Sequence, residues 1–239
     1  MRPLWTESLG QLCGDLVSVR EVVDADALSL FEMLSDPTVA AFMSPPPPSL
    51  SAFRGFIAWA QRERAAGHGV CFGIVPAGSP AAVGIIQVRA HEPSWFTAEW
   101  GFAIGASFWA TGAFADAAHL VAAYGFDHMG IRRLEARAMV VNGRGNGVLH
   151  KLGARPEGAL ASAVAHDGRY HPQLLWGLHV DDWRQCTHVR QPWSITKAHA
   201  SITAATQDAE RRLRDYRRPS TVETPVLHPF FVSQRSVLH

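Results

Sequence analysis

Alternating and helical spacings of apolar residues divide the chain into a regular series of elements. "LVSVR", Leu16 to Arg20, alternates as a strand does. Asp24 then offers an N-cap to a helix in which Ala27, Leu30, Phe31 and Leu34 recur at helical spacing. Asp36 and Pro37 end that helix, and "SPPPPS" is extended, because proline disfavours helix in itself and in the residue before it. A second helix carries Phe53, Phe56, Ile57 and Ala60 on one face and stops near Gly67. "VCFGIV", "AVGIIQV" and "WFTAEWGFAIG" are β-prone runs separated by the turn-rich "PAGSP" and "HEPS", a pattern that predicts an antiparallel meander.

The longest helix is predicted in "TGAFADAAHLVAAYGFDHMG", where Phe114, Ala117, Ala118 and Val121 share a face and Gly130 ends the run. "RRLEARAMVV" alternates Leu134, Ala136, Ala138 and Val140 against the charged neighbours Arg133, Glu135 and Arg137, so it is a strand. Asn142 caps a short helix that Gly153 stops, and "ALASAVAHDGRYHPQLLWGLHV" is a hairpin turning about Asp167 and Gly168. The predicted order is β, α, α, β, β, β, α, β, α, β, β, an α+β (mixed α/β) chain. Beyond about Gln185 the pattern decays into one charged helix, "TAATQDAERRLRDYRRPS", and a proline-punctuated tail. This divides the chain into a domain over residues 14–185 and an extension over 186–239.

At 239 residues with 47% apolar composition the chain is long enough to bury a sizeable core. A net charge of +1 sets up no field that would recruit nucleic acid or an anionic membrane surface. The three cysteines are far apart and form no CxxC pair, and the twelve histidines show no pair at metal-ligand spacing. No disulfide framework and no metal are expected, and a reducing, cytoplasmic setting fits best. No apolar run of signal-peptide or membrane-spanning length is found, so the protein is expected to be soluble and not exported. The sequence is compatible with a homodimer but does not specify one.

Two stretches invite an anion. "VNGRGNGVLHKLG" places glycines after a strand and before a helix. Its spacing is G-x-G-x-G, not the G-x-G-x-x-G of a dinucleotide site, and a hairpin follows where a crossover to a parallel strand is required. "SFWATGAFADAA" sets Gly112 between a strand and the long helix, where free backbone N–H groups at a helix N-terminus favour a group such as pyrophosphate; an ordinary loop is the alternative.

Taken together, these two stretches and the element order resemble the GNAT superfamily of acetyl-CoA-dependent N-acetyltransferases, and within it the branch containing the ribosomal-protein alanine N-acetyltransferases. The resemblance runs from about Gly14 to Arg184. It rests on "GDLVSVREVVDADALSLFEMLSDPTV", "AEWGFAIGASFWATGAFADAAHLV", "IRRLEARAMVVNGRGNGVLHKLGARPEG" and "LLWGLHVDDWR". It implies the GNAT fold, a mostly antiparallel twisted sheet flanked by helices, with acetyl-CoA as co-substrate and an amine as acceptor. The family's Q/R-x-x-G-x-G/A pyrophosphate loop is matched by Trp109, Ala110, Thr111, Gly112, Ala113 and Phe114, with Phe114 in place of a small final residue and therefore turned into the core. Asn142 matches the asparagine that opens the short helix beside the acetyl-CoA arm, and Gly145 stands where serine is common. Arg144 and Asn146 could add cofactor contacts or decorate a solvated turn.

The resemblance further implies that the backbone of Phe102, Ala103 and Ile104 holds the pantetheine arm, and that Glu99, in the strand before the loop, is the general base. Glu99 lies in sequence among Trp95, Phe96, Trp100 and Phe102, where burial would raise its pKa; an ion pair with Arg137 is the alternative. The family's proton-donating tyrosine is replaced by Leu149, leaving His150 or water to serve. The expected reaction is acetylation of a protein or peptide N-terminal amine. A small-molecule amine acetyltransferase and a non-catalytic acyl-CoA-binding module are the alternatives.

Overall fold

The computed structural model describes residues 3–166 and 169–187. The hairpin turn at Asp167–Gly168, the charged helix after residue 202 and the tail lie outside the described residues. One eight-stranded sheet, ordered β1-β2-β3-β4-β5-β6-β8-β7, organises the rest. Its strands are β1 (Leu12–Cys13), β2 (Val17–Glu21), β3 (Gly69–Pro76), β4 (Gly84–Ala90), β5 (Thr97–Ile104), β6 (Arg133–Met139), β7 (Arg155–His166) and β8 (Arg169–His179). The helices are α1 (Ala27–Leu34), α2 (Pro37–Ala40), α3 (Leu50–Ala66), α4 (Ala113–His128), α5 (Gly143–Lys151) and α6 (Val180–Thr187). Every neighbouring pair of strands is antiparallel except β5 and β6, which run parallel.

Strand alternation decides which helix covers which face. On β3, Cys71 meets the recess beside Trp59 of α3, whereas the next residue, Phe72, packs its ring against Tyr124 of α4 at 5.8 Å. The two long helices therefore cover opposite faces, and β3, buried at every position, reads in sequence as an unbroken apolar run. The register Phe72–Ile86–Phe102 carries the α4 face across the sheet, and Cys71–Gln87–Gly101 carries the α3 face. Next to the latter row lies Gly69–Arg89–Glu99–Glu135.

Local chemistry sets the helix ends. Ser49 Oγ accepts the Ala52 N–H at 3.1 Å at the start of α3, and Gly67, with φ +82°, closes it in a left-handed turn that a side chain disfavours. The expected cap at Asp24 is not what organises the first helix. Asp24 opens a single 3-10 turn, and the fully buried Asp26 takes the central part. Asp26 accepts two hydrogen bonds from Arg20 at 2.7 and 2.8 Å and the N–H groups of Val23 and Ala82 at 2.9 Å each. The helix ends at Leu34, before Asp36–Pro37, and that pair begins α2: Asp36 accepts the Thr38 N–H and proline stands at the first helical position. Strand β1 and helices α2 and α6 are additional to the expected order. The first is only two residues long, and α6 spans the expected domain boundary with Asp181 and Asp182 in its first turn.

Candidate functional site

The parallel pair β5–β6 is joined over three residues only, Thr97–Glu99 against Arg133–Glu135. Beyond that point β5 stays paired with β4 as far as Ile104, and β6 stays paired with β8 as far as Met139. The sheet thus splits into two halves at Glu99. Residues 100–104 of β5 and 136–139 of β6 become the walls of a cleft whose edges keep backbone hydrogen-bonding groups without a strand partner. The loop before α4 follows from the first wall and the start of α5 from the second.

The loop is shaped for an anion. Ala110 and Gly112 both adopt positive φ, +60° and +90°, and such alternation turns successive N–H groups toward one concavity. Trp109 N–H is committed to Ala106 O, Ala113 N–H to Thr111 Oγ1 at 3.2 Å, and Thr111 in turn donates to Phe108 O at 2.8 Å. Among the described residues the N–H groups of Ala110, Thr111, Gly112 and Phe114 have no hydrogen-bond partner. Between Ala110 and Phe114, the Ala113 N–H is thus the one already engaged among the described residues. The Phe114 ring is half-buried and packs on Phe102 at 4.5 Å, against the core. Substituting Gly112 by alanine forces a side chain into φ +90°, with Leu16 Cδ1 3.1 Å from the new Cβ. The expected result is a loss of roughly 1–2 kcal/mol of stability, read by denaturant unfolding.

The opposite rim is built by α5. Asn142 Oδ1 accepts the Gly145 N–H at 2.9 Å, and a Cβ on Gly145 would fall 2.6 Å from Asn142 Nδ2, so glycine at this position leaves room for the capping amide. Asn146 is structural. Its Nδ2 donates to Met139 O, and its Oδ1 accepts from Trp176 Nε1 at 2.9 Å, fastening β6 to β8. Arg144 is exposed, and its guanidinium lies 3.8 Å from the centre of the Trp109 ring, linking the two rims. Trp109 is itself oriented by its indole N–H, which donates to Ile104 O at 3.2 Å. The backbone of Phe102, Ala103 and Ile104 lies along the cleft wall, with Ala103 and Ile104 buried. Leu149 is fully buried in the core and His150 is exposed.

Glu99 stands where the strands part, half-buried on the α3 face. Its surroundings correct the sequence reading. Trp100 and Phe102 point to the other face, Trp95 packs edge-on against Trp5, and Phe96 is 58% exposed, so the apolar neighbours in sequence are not neighbours in space. Glu99 shares a recess with Gln87, Arg89 and Gly101. Arg89, directly opposite in register, is drawn toward α3 by Glu63 at 3.4 Å and by the Trp59 ring. Among the described residues Glu99 has no hydrogen-bond or ion-pair partner, and no pair joins it to Arg137.

Beside Glu99 lies an ion-pair network that no spacing in the sequence announced. Arg133 binds both Glu135 and Glu157, His91 Nε2 lies 3.0 Å from Glu135, and His179 Nε2 lies 3.2 Å from Glu157. Burial pushes the Glu135 carboxyl up, but the bonds and charges of Arg133 and His91 outweigh it and hold the group below its ordinary value. For Glu157 the Arg133 hydrogen bond dominates in the same direction. Groups with depressed folded-state pKa stabilise the protein above the unfolded value, and that contribution is lost as pH falls through the folded value. Thermal stability is therefore expected to decline as pH drops below about 4.3, the ordinary glutamate value. The Glu135→Gln/Glu157→Gln variant should show a shallower decline in the same acid scan.

Among the described residues no group of three or more His, Cys, Asp or Glu is placed to hold a metal ion, and no helix is long and apolar enough to cross a membrane. A sheet splayed at a parallel pair, with a cradle of free amides at the mouth, defines an acyltransferase of the GNAT class. The family profile described as the acetyltransferase (GNAT) domain matches residues 17–155, and the chain belongs to that family. Solved structures share the fold. RimJ of Mycobacterium smegmatis, in complex with CoA-disulfide, is 20% identical with a TM-score of 0.66, over 86% of this chain and 97% of that one. The ribosomal-protein-S5-alanine acetyltransferase of Vibrio fischeri is 16% identical with a TM-score of 0.63, over 73% and 98%. RimL, a ribosomal L7/L12 α-N-protein acetyltransferase, is 17% identical with a TM-score of 0.66, over 72% and 95%. No curated protein matches the sequence significantly.

Proposed function

We propose that this acetyltransferase moves an acetyl group from acetyl-CoA to the α-amino group of a protein or peptide. The observation that carries the reading is the coincidence of three features among the described residues: the parting of β5 from β6, unpaired N–H groups at Ala110, Thr111, Gly112 and Phe114, and a partnerless carboxylate at the vertex. Acetyl-CoA supplies an activated acyl group. The loop amides suit its pyrophosphate, the edge of Phe102, Ala103 and Ile104 suits the amide-bearing pantetheine arm, and Asn142 with Arg144 borders the opposite rim. The acceptor must be neutral to attack, and an α-amino group has a reference pKa of about 7.7–8.0, so a nearby carboxylate that takes its proton is useful. Glu99 is assigned that role.

Residues 14–185 form the catalytic unit in this reading and residues 186–239 an extension to it, with the reaction placed in the cytoplasm. The preference for a polypeptide acceptor rests on the resemblance to ribosomal-protein acetyltransferases and on the names of the structural neighbours. Incubation with acetyl-CoA and a hexapeptide beginning with alanine, followed by mass spectrometry, tests it. Gain of one acetyl group on the α-amine is expected. A peptide returned unmodified while a polyamine or aminoglycoside is acetylated would replace this acceptor with a small molecule.

A further inference from the structure

Gln87 of β4 is 4% exposed, and its side-chain Oε1 has no hydrogen-bond partner among the described residues. An unsatisfied buried carbonyl is costly, and a hydrocarbon of similar size would serve packing better, so the fold alone gives no reason for an amide here. The residue lies opposite Gly101 and lines two adjoining recesses, one walled by Trp59 and Glu63 of α3, the other by Glu99 and Gly101. Arg89, the other polar side chain common to both, is engaged by Glu63 and Trp59. Gln87 Oε1 and the Glu99 carboxylate remain, both without partners among the described residues, on side chains diagonal to one another across a residue that has no side chain. The terminal torsion of an amide is broad, so Oε1 turns into the recess at little cost.

We propose that Gln87 positions the acceptor amine by accepting one of its N–H groups while Glu99 accepts another. This rests on the reading of the cleft as the acetyl-transfer site. Held at two points, the nitrogen directs its lone pair toward the cleft. The nitrogen–carbonyl bond forms, the carbonyl–sulfur bond breaks, the thiolate of CoA departs, and the proton from nitrogen passes to Glu99. A neutral primary amine has the two N–H groups this requires. A secondary amine has one, so the pair selects primary amines over N-methylated ones.

The test compares wild type with Gln87→Leu and Gln87→Met, using acetyl-CoA with alanyl and N-methylalanyl hexapeptides. Both variants are expected to unfold at or above the wild-type temperature and to bind acetyl-CoA as wild type does. Both should lose about tenfold or more in kcat/KM for the alanyl peptide, mainly through KM, with weakened discrimination against the N-methyl peptide. Unchanged kcat/KM in a folded variant would overturn the proposal. Loss of folding in both would assign the amide to the core and overturn it too. Equal turnover by wild type and Glu99→Gln would instead remove the base on which the reading rests, whatever Gln87 does.

Discussion

Glu99→Gln is expected to lower kcat for a peptide acceptor by about 10²–10⁴-fold, the usual contribution of a positioned general base. The substitution keeps the size and planarity of the side chain and removes only its capacity to take a proton. Because Glu99 has no partner among the described residues, no ion pair is lost and the unfolding temperature should hold. Acetyl-CoA binding should also hold, since the loop amides and the cleft edges lie along the strand beyond Glu99. The residual rate should climb with pH through about 7.7–8.0, as the free amine becomes populated without help. Steady-state kinetics over that range check all three statements. A variant that turns over like wild type would show that the carboxylate at the vertex takes no proton in the rate-determining step.

Asp26→Ala is expected to be the most damaging single change to stability. The carboxylate is fully buried and joins Arg20 on β2 to the backbone of Val23 and of Ala82, just before β4. Removing it leaves a partly buried guanidinium and two N–H groups without their acceptor, and breaking a buried pair from one side costs about 3–5 kcal/mol. For a chain of this size that corresponds to a fall in Tm on the order of 10 °C, measurable by circular dichroism. Asp26→Asn keeps the shape and one acceptor oxygen and should fall between the two.

Most of the architecture is legible in the apolar pattern, because long amphipathic helices and alternating strands report burial directly. The site is legible to a lesser degree. Trp109 to Phe114 and Asn142 stand out through turn and cap chemistry, which is local, and the structure places them on the two rims of one cleft. What sequence order obscures is cross-strand geometry. Glu99 is flanked by aromatic residues in the chain, yet a strand turns its neighbours to opposite faces, and its companions Gln87 and Arg89 come from β4. The Arg133 network draws on β6 and β7 together with His91 after β4 and His179 of β8, so no window of sequence contains it. Asp26 was missed for a related reason. Cap signals rank Asp24 and Asp26 alike, and only the approach of Arg20 and Ala82 separates them.

The account turns on the cleft between β5 and β6 being an acyl-CoA site, and thermal unfolding with acetyl-CoA, against NADH as a control nucleotide, tests that most directly. At about a hundredfold excess over Kd, binding adds about 2.7 kcal/mol. For a domain of this size the unfolding temperature should rise by roughly 5–10 °C. A rise with acetyl-CoA and none with NADH is the predicted result. No rise with acetyl-CoA, or an equal rise with both, would contradict it.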